Sequence, residues 1–255
     1  MVTRRLLPLI LPLALAATAA AAPTTRTAPP PTPPATHPAA TPAHPSTSDL
    51  STPQATAISF LTALEAGDEA AAKNAVAFSD PKSTDIANLF LDILLSTNEI
   101  QRHAKVKFGA NTADVFGDPE AALATRVEAI KKATPAITGD DAAMTLPEDP
   151  ATHQAASTIS FKKVGNQWKI DATSLFNLDK QPPEDLARTV GLARKLLEIN
   201  RAVTANIDAG KYASASEAHD DWWQRSFAAA APPAATQSST APASAPPPFH
   251  GDFTN

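Results

Sequence analysis

Apolar residues recur at helical spacing soon after Thr52: Ile58, Leu61 and Leu64 share a face, with Phe60 beside them. Thr52 suits a capping position and Pro53 the first helical position, so the spacing predicts a helix from here to the stop at Gly67-Asp68. The alanine-rich run from Glu69 to Phe78 predicts a second, short helix packed closely on the first. From Thr84, Ile86, Leu89, Phe90, Ile93 and Leu94 repeat the period toward Phe108, and Leu91 and Leu95 widen the stripe to more than one buried side. Leu123, Val127 and Ile130 mark a further helix from Pro119 that ends by Pro135.

The period then changes from helical to two. After the turn at Gly139-Asp140, Ala142, Met144 and Leu146 point one way, and Asp141, Ala143 and Thr145 the other. Ile159 and Phe161 alternate with Ser160 and Lys162; Trp168 and Ile170 alternate with Lys169 and Asp171; Gly165-Asn166 joins the two runs as a hairpin. Helices first and an antiparallel meander after them give an α+β class. Beyond Pro182-Pro183, Glu184 and Asp185 stand at the positive end of a long helix that carries Leu186, Val190, Ala193, Leu197, Val203 and Ile207 to Gly210. That stripe is too apolar to stand alone and must pack on the preceding domain, on the last helix or on a second copy. Ser214 with Glu217 forms a capping box for the last helix, which brings Ala218, Trp222 and Phe227 to one side. The expected result is a C-terminal helical hairpin.

Composition changes the picture at both ends. Arg4-Arg5, an apolar run from Leu6 into Ala16 and the tract Ala19 to Ala22 have the three-part layout of a secretory signal peptide. Pro8, Pro12 and the fade into alanine argue against a retained membrane span. Residues 23–48 and 228–255 are rich in Pro, Ala, Thr and Ser, a composition expected to stay disordered as a linker and a tail. The division expected is therefore 1–22 signal peptide, 23–48 linker, 49–178 α+β domain, 179–227 helical extension and 228–255 tail. Export implies a periplasmic or extracellular location, yet the 255 residues include no cysteine, so neither disulfides nor thiolate metal sites nor c-type haem is available. The net charge is −5, with lysines scattered among acids, and no cation cluster fits a nucleic acid.

The helix PQATAISFLTALEAGDEAAAKNAV, broken at Ala66-Gly67-Asp68, followed by ITGDDAAMTL and STISFKKVGNQWKID, resembles the nuclear transport factor 2-like superfamily, over about residues 49–174. The SnoaL-like and ketosteroid-isomerase-like families belong to it. The resemblance implies a cone-shaped sheet behind N-terminal helices. Its enzymes place an aspartate, histidine or tyrosine inside the cone, but none of their catalytic motifs aligns here, and the sole tyrosine, Tyr212, lies outside the matching region.

Candidate chemistry is sparse. His103 and Asp171 would serve as an acid-base pair if they faced one cavity; the plainer reading is a solvent-facing histidine and a strand-end aspartate in a turn. Phe161, Trp168 and Phe90 are candidate walls for a small apolar ligand. Trp222 and Trp223 cannot point the same way, so one is a candidate anchor for a protein partner unless both pack in the core. His219-Asp220-Asp221 lacks the three- or four-residue spacing of helical metal ligands and reads as a wet face. Asp140-Asp141 and Glu148-Asp149 lack the spacing of a calcium loop. No cofactor or metal motif is present in the sequence. These patterns predict an exported non-catalytic module for an apolar ligand or a protein partner. The alternatives are a small exported hydratase, isomerase or hydrolase, and a cell-surface protein that self-associates through its helical hairpin.

Overall fold

The computed structural model describes residues 48–78, 81–148, 156–176, 178 and 182–231. The segments expected as signal peptide, nearly all of the expected linker, and the expected tail beyond Ala231 lie outside them. Thr52 accepts the Ala55 N–H at 3.1 Å and Pro53 opens α1 (Pro53–Ala66). Gly67, at φ 70°, closes it in the left-handed conformation that glycine adopts without Cβ strain. Asp68 then caps α2 (Glu69–Asn74). The expected helix to Phe78 stops short, because Val76–Ala77 becomes strand β1, paired in parallel with Ile170 and Asp171. Long-range pairing and burial of Val76 outweigh the helix preference of the alanines.

Helix α3 (Pro81–Phe108) is one continuous rod of 28 residues, on the order of 42 Å long. A 3₁₀ turn (Gly109–Thr112) and the short α4 (Ala113–Phe116) follow, two pieces without periodic signal in the sequence. Asp118 caps α5 (Pro119–Lys132). The strands are β2 (Ala136–Thr138), β3 (Asp141–Leu146), β4 (Ser157–Val164) and β5 (Gln167–Asp171). Together with β1 they form one mixed sheet in the order β1-β5-β4-β3-β2, so the class is α+β as expected. The period-two reading holds in detail: Met144 stands opposite Ile159, Ala142 opposite Phe161, and Phe161 opposite Ile170. Ala142, Met144, Phe161, Trp168 and Ile170 are buried on the face covered by helices.

After the short α6 (Ala172–Leu175), α7 (Pro183–Asp208) and α8 (Ala215–Ala230) pair as the expected hairpin. The hairpin packs on α3. Helix α8 runs through Ala230, past the boundary expected at Phe227.

Two apolar clusters result. The larger, between sheet and helices, takes Phe60, Phe90, Leu91, Leu94, Met144, Phe161, Trp168, Ala193 and Leu197. The smaller gathers Ile100, Ala104, Phe116, Val203, Ile207, Ala215 and Ala218. Both α3 and α7 contribute to each, so these two helices join the sheet domain to the hairpin. Among the described residues, no helix is long and apolar enough to cross a membrane.

Candidate functional site

The setting of α8 is fixed by polar groups where the two apolar clusters meet. Asn200 is buried on α7, and its amide nitrogen donates to Ser96 Oγ at 2.9 Å and Thr97 Oγ1 at 3.0 Å. Both hydroxyls donate onward to the Ile93 carbonyl, at 3.0 and 2.9 Å. Asn200 Oδ1 accepts the Trp222 indole N–H at 2.8 Å. The network ties α3, α7 and α8 together without an orphan among its members, the condition under which buried polar groups specify one arrangement.

With Trp222 drawn inward, the neighbouring Trp223 is turned outward by the helical repeat, and Phe227 follows it one turn later. Trp223 is 38% exposed and Phe227 61% exposed. His219 extends the row inward: it stacks on Trp223 at 6.3 Å and 11°, and its other side meets Phe116 edge-on at 5.2 Å and 85°. Trp223 and Phe227 lie 6.3 Å apart, centre to centre. Four rings thus form a strip, buried at Phe116 and open at Phe227. The strip is flanked by charge that is already paired. Asp221 accepts from Tyr212 Oη at 2.5 Å and from Arg225 Nε at 2.8 Å. Burial acts to raise the Asp221 carboxyl, but these two hydrogen bonds outweigh it and hold the group below its ordinary range. Burial, helped by the bond to Asp221, pushes the Tyr212 phenol up.

Apart from the strip, a cleft of about 220 Å³ opens between the end of α3, the 3₁₀ turn and the start of α5. Its polar side chains are engaged by the protein itself. Gln101 Nε2 donates to the Phe116 carbonyl at 3.1 Å, Thr112 to the Ala104 carbonyl at 3.2 Å, and Lys105 pairs with Glu120 at 2.6 Å. Asp118 accepts the backbone N–H groups of Glu120 and Ala121.

His103 and Asp171 occupy separate surroundings. His103 Nδ1 lies 2.6 Å from Asp208 Oδ1, bridging α3 and α7, and Nε2 lies 3.7 Å from Glu99. Asp171 caps α6 through the Thr173 N–H at 3.1 Å and lies 4.0 Å from Lys162. Phe90, Phe161 and Trp168 are 4%, 1% and 6% exposed, packed into the larger cluster. Leu50 and Thr56 pin the Trp168 backbone, the former accepting its N–H at 2.8 Å and the latter donating to its carbonyl at 2.9 Å.

His219 is not on a wet face: it sits between Phe116 and Trp223, because the ring row along α8 starts one turn before Trp223. Among the described residues, no three His, Asp or Glu side chains are grouped to hold a metal. Asp149 lies outside the described residues. Asn200 is the candidate position that the sequence did not single out, and Phe227, expected on one side with Ala218 and Trp222, instead follows Trp223 outward, because a five-residue step from Trp222 turns it well away from that face. The signal for Asn200 was a lone amide between Leu197 and Val203 in an apolar stripe; for Phe227 it was the four-residue step from Trp223. Comparison of the chain with protein-family models, curated proteins and solved structures finds no match.

Proposed function

We propose that this chain is an exported, non-catalytic module that binds a protein partner, taking an extended polypeptide segment across the aromatic strip of α8. The observation that carries the reading is the outward pair Trp223 and Phe227, held in place from behind by the buried Asn200 network. Aromatic side chains on a rigid element are the residues that most often anchor partners. Support for export is the basic pair, apolar run and small-residue tract at the start of the sequence. The helices that precede an antiparallel meander closing on residues 168–171 support reading the sheet domain as a nuclear transport factor 2-like core. Core contacts close in Phe90, Phe161 and Trp168, which favours a protein partner over a small ligand held by those three rings.

The test is a random-peptide display selection on the mature chain, counter-selected with the Trp223→Ala/Phe227→Ala double variant. Peptides that lose at least tenfold in affinity for the variant, while its circular dichroism melt is unchanged, are the expected result. A selection that enriches nothing, or peptides that bind both proteins equally, overturns the proposal.

A further inference from the structure

The open end of the strip is small. Full aromatic side chains offer about 150–250 Å² each, so the exposed fractions of Trp223 and Phe227 leave roughly 200 Å² of ring surface. A stable pair of folded proteins needs about 800 Å² per partner. A second copy of this chain is therefore poorly matched to the strip, whereas a tethered linear segment is well matched. Such a segment begins where the strip ends. Helix α8 finishes at Ala230, and the chain continues as PPAATQSSTAPASAPPPF from Pro232 to Phe249. Its 18 residues include six prolines, end on an aromatic ring and carry no charge. Proline-rich segments lose little entropy on docking and recognise aromatic surfaces, with successive residues rising about 3.1 Å. The 6.3 Å between Trp223 and Phe227 matches a rise of about two such residues.

We propose that the segment Pro242–Phe249 of the same chain docks on Trp223 and Phe227 and is the strip's resident ligand, competing with outside partners. This rests on the docking role of the strip proposed above. Reach and concentration favour it. A flexible chain of about 14 residues, the number that separates Ala231 from Pro246 in the sequence, would have a root-mean-square span of about 20 Å. The distance back from Ala230 to Trp223 is about 10 Å along the helix. Tethering at that span gives an effective concentration in the millimolar range, so even a weak contact stays occupied within one chain. A free polypeptide must then outcompete the tail, and proline-rich sequences are the class the strip would accept.

The full chain labelled with fluorotryptophan gives three fluorine signals, for Trp168, Trp222 and Trp223, each assigned by a Trp→Phe change. Relaxation by a soluble gadolinium chelate then reads the exposure of each indole. The comparison is with the same chain carrying Pro246→Ser, Pro247→Ser, Pro248→Ser and Phe249→Ser. The expected result is an increase of about threefold at Trp223 alone, reversed by adding a peptide of residues 242–255 to the substituted chain. Equal exposure of Trp223 in both chains overturns the proposal, as does a peptide without effect. Protection that persists after substitution also overturns it, and sedimentation velocity then separates cover by a second copy from cover by the N-terminal arm. If display peptides still bind while the tail changes nothing, the tail assignment fails and the docking role stands; if neither binds, both fail.

Discussion

Asn200 joins three helices through one buried side chain. It satisfies Trp222, Ser96 and Thr97 at once, and it lies between Leu197 in one apolar cluster and Val203 in the other. Asn200→Ala leaves the indole N–H of Trp222 without its acceptor and opens a cavity between three helices. A buried orphan costs about 1–3 kcal/mol, and the lost volume adds to it, so a total of about 2–4 kcal/mol is expected from urea unfolding. Trp222→Phe removes only one of the bonds and is expected to cost less. The two changes share a bond, so their effects should fall short of additivity by about 1 kcal/mol in a double-mutant cycle. Additive losses would show that the bond contributes nothing to the hairpin's docking.

At the scale of elements, the junction of α1, α3 and α5 makes the fold sensitive to pH. Glu65, near the end of α1, has its carboxyl raised above the ordinary 4.5 chiefly by burial, with Glu120 and Asp118 adding to the rise and Arg102 and Lys105 opposing it. Arg102 is committed elsewhere too, since its guanidinium donates to the Ala66 carbonyl at 3.1 Å and fills the space beside Gly67. The folded state therefore holds the Glu65 proton more tightly than the unfolded chain does. Its contribution to stability is fully present below the unfolded value and is lost as pH rises through the folded one. Glu65→Gln should match the parent at pH 4 and exceed it in melting temperature at pH 7. A variant less stable than the parent at pH 7 would show that the Arg102 attraction outweighs burial. What the sequence disclosed about these elements follows from how local their causes are. Helix α1 was legible because Thr52, Pro53 and Gly67 mark its ends within the segment itself. Strand β1 was not, because two residues become a strand only through partners at Ile170 and Asp171, far along the chain. The inward position of His219 was hidden for the same reason: Phe116 reaches it from α4, a helix without a periodic pattern.

On the whole-molecule scale, the question is whether the C-terminal hairpin is an attachment or part of the fold. The sequence divides the chain near residue 179, where the proline-rich stretch before α7 marks a natural boundary. The side chains cross that boundary. Ala193 and Leu197 of α7 belong to the larger cluster with Phe90 and Leu94, while Ile100 and Ala104 of α3 belong to the smaller one with Val203 and Ile207. Ending the chain after Leu178 would bare one long side of α3 along both clusters and leave Ser96 and Thr97 without Asn200. Burial of a large apolar side chain stabilises by about 1.5–3 kcal/mol, and Phe90, Leu94 and Ile100 lose cover from α7, against a typical domain stability of about 5–15 kcal/mol. The truncated chain is thus expected to lose cooperative unfolding and protected amides in the sheet, measured by calorimetry and hydrogen exchange. The intact chain should melt in a single transition. Two separate transitions in the intact protein, or a truncated chain with native-like protection in β3, β4 and β5, would make the hairpin an independent unit. In the integrated arrangement, by contrast, the helix that carries Trp223 and Phe227 is tied through Trp222 and Asn200 to α3, whose residues also pack against the sheet.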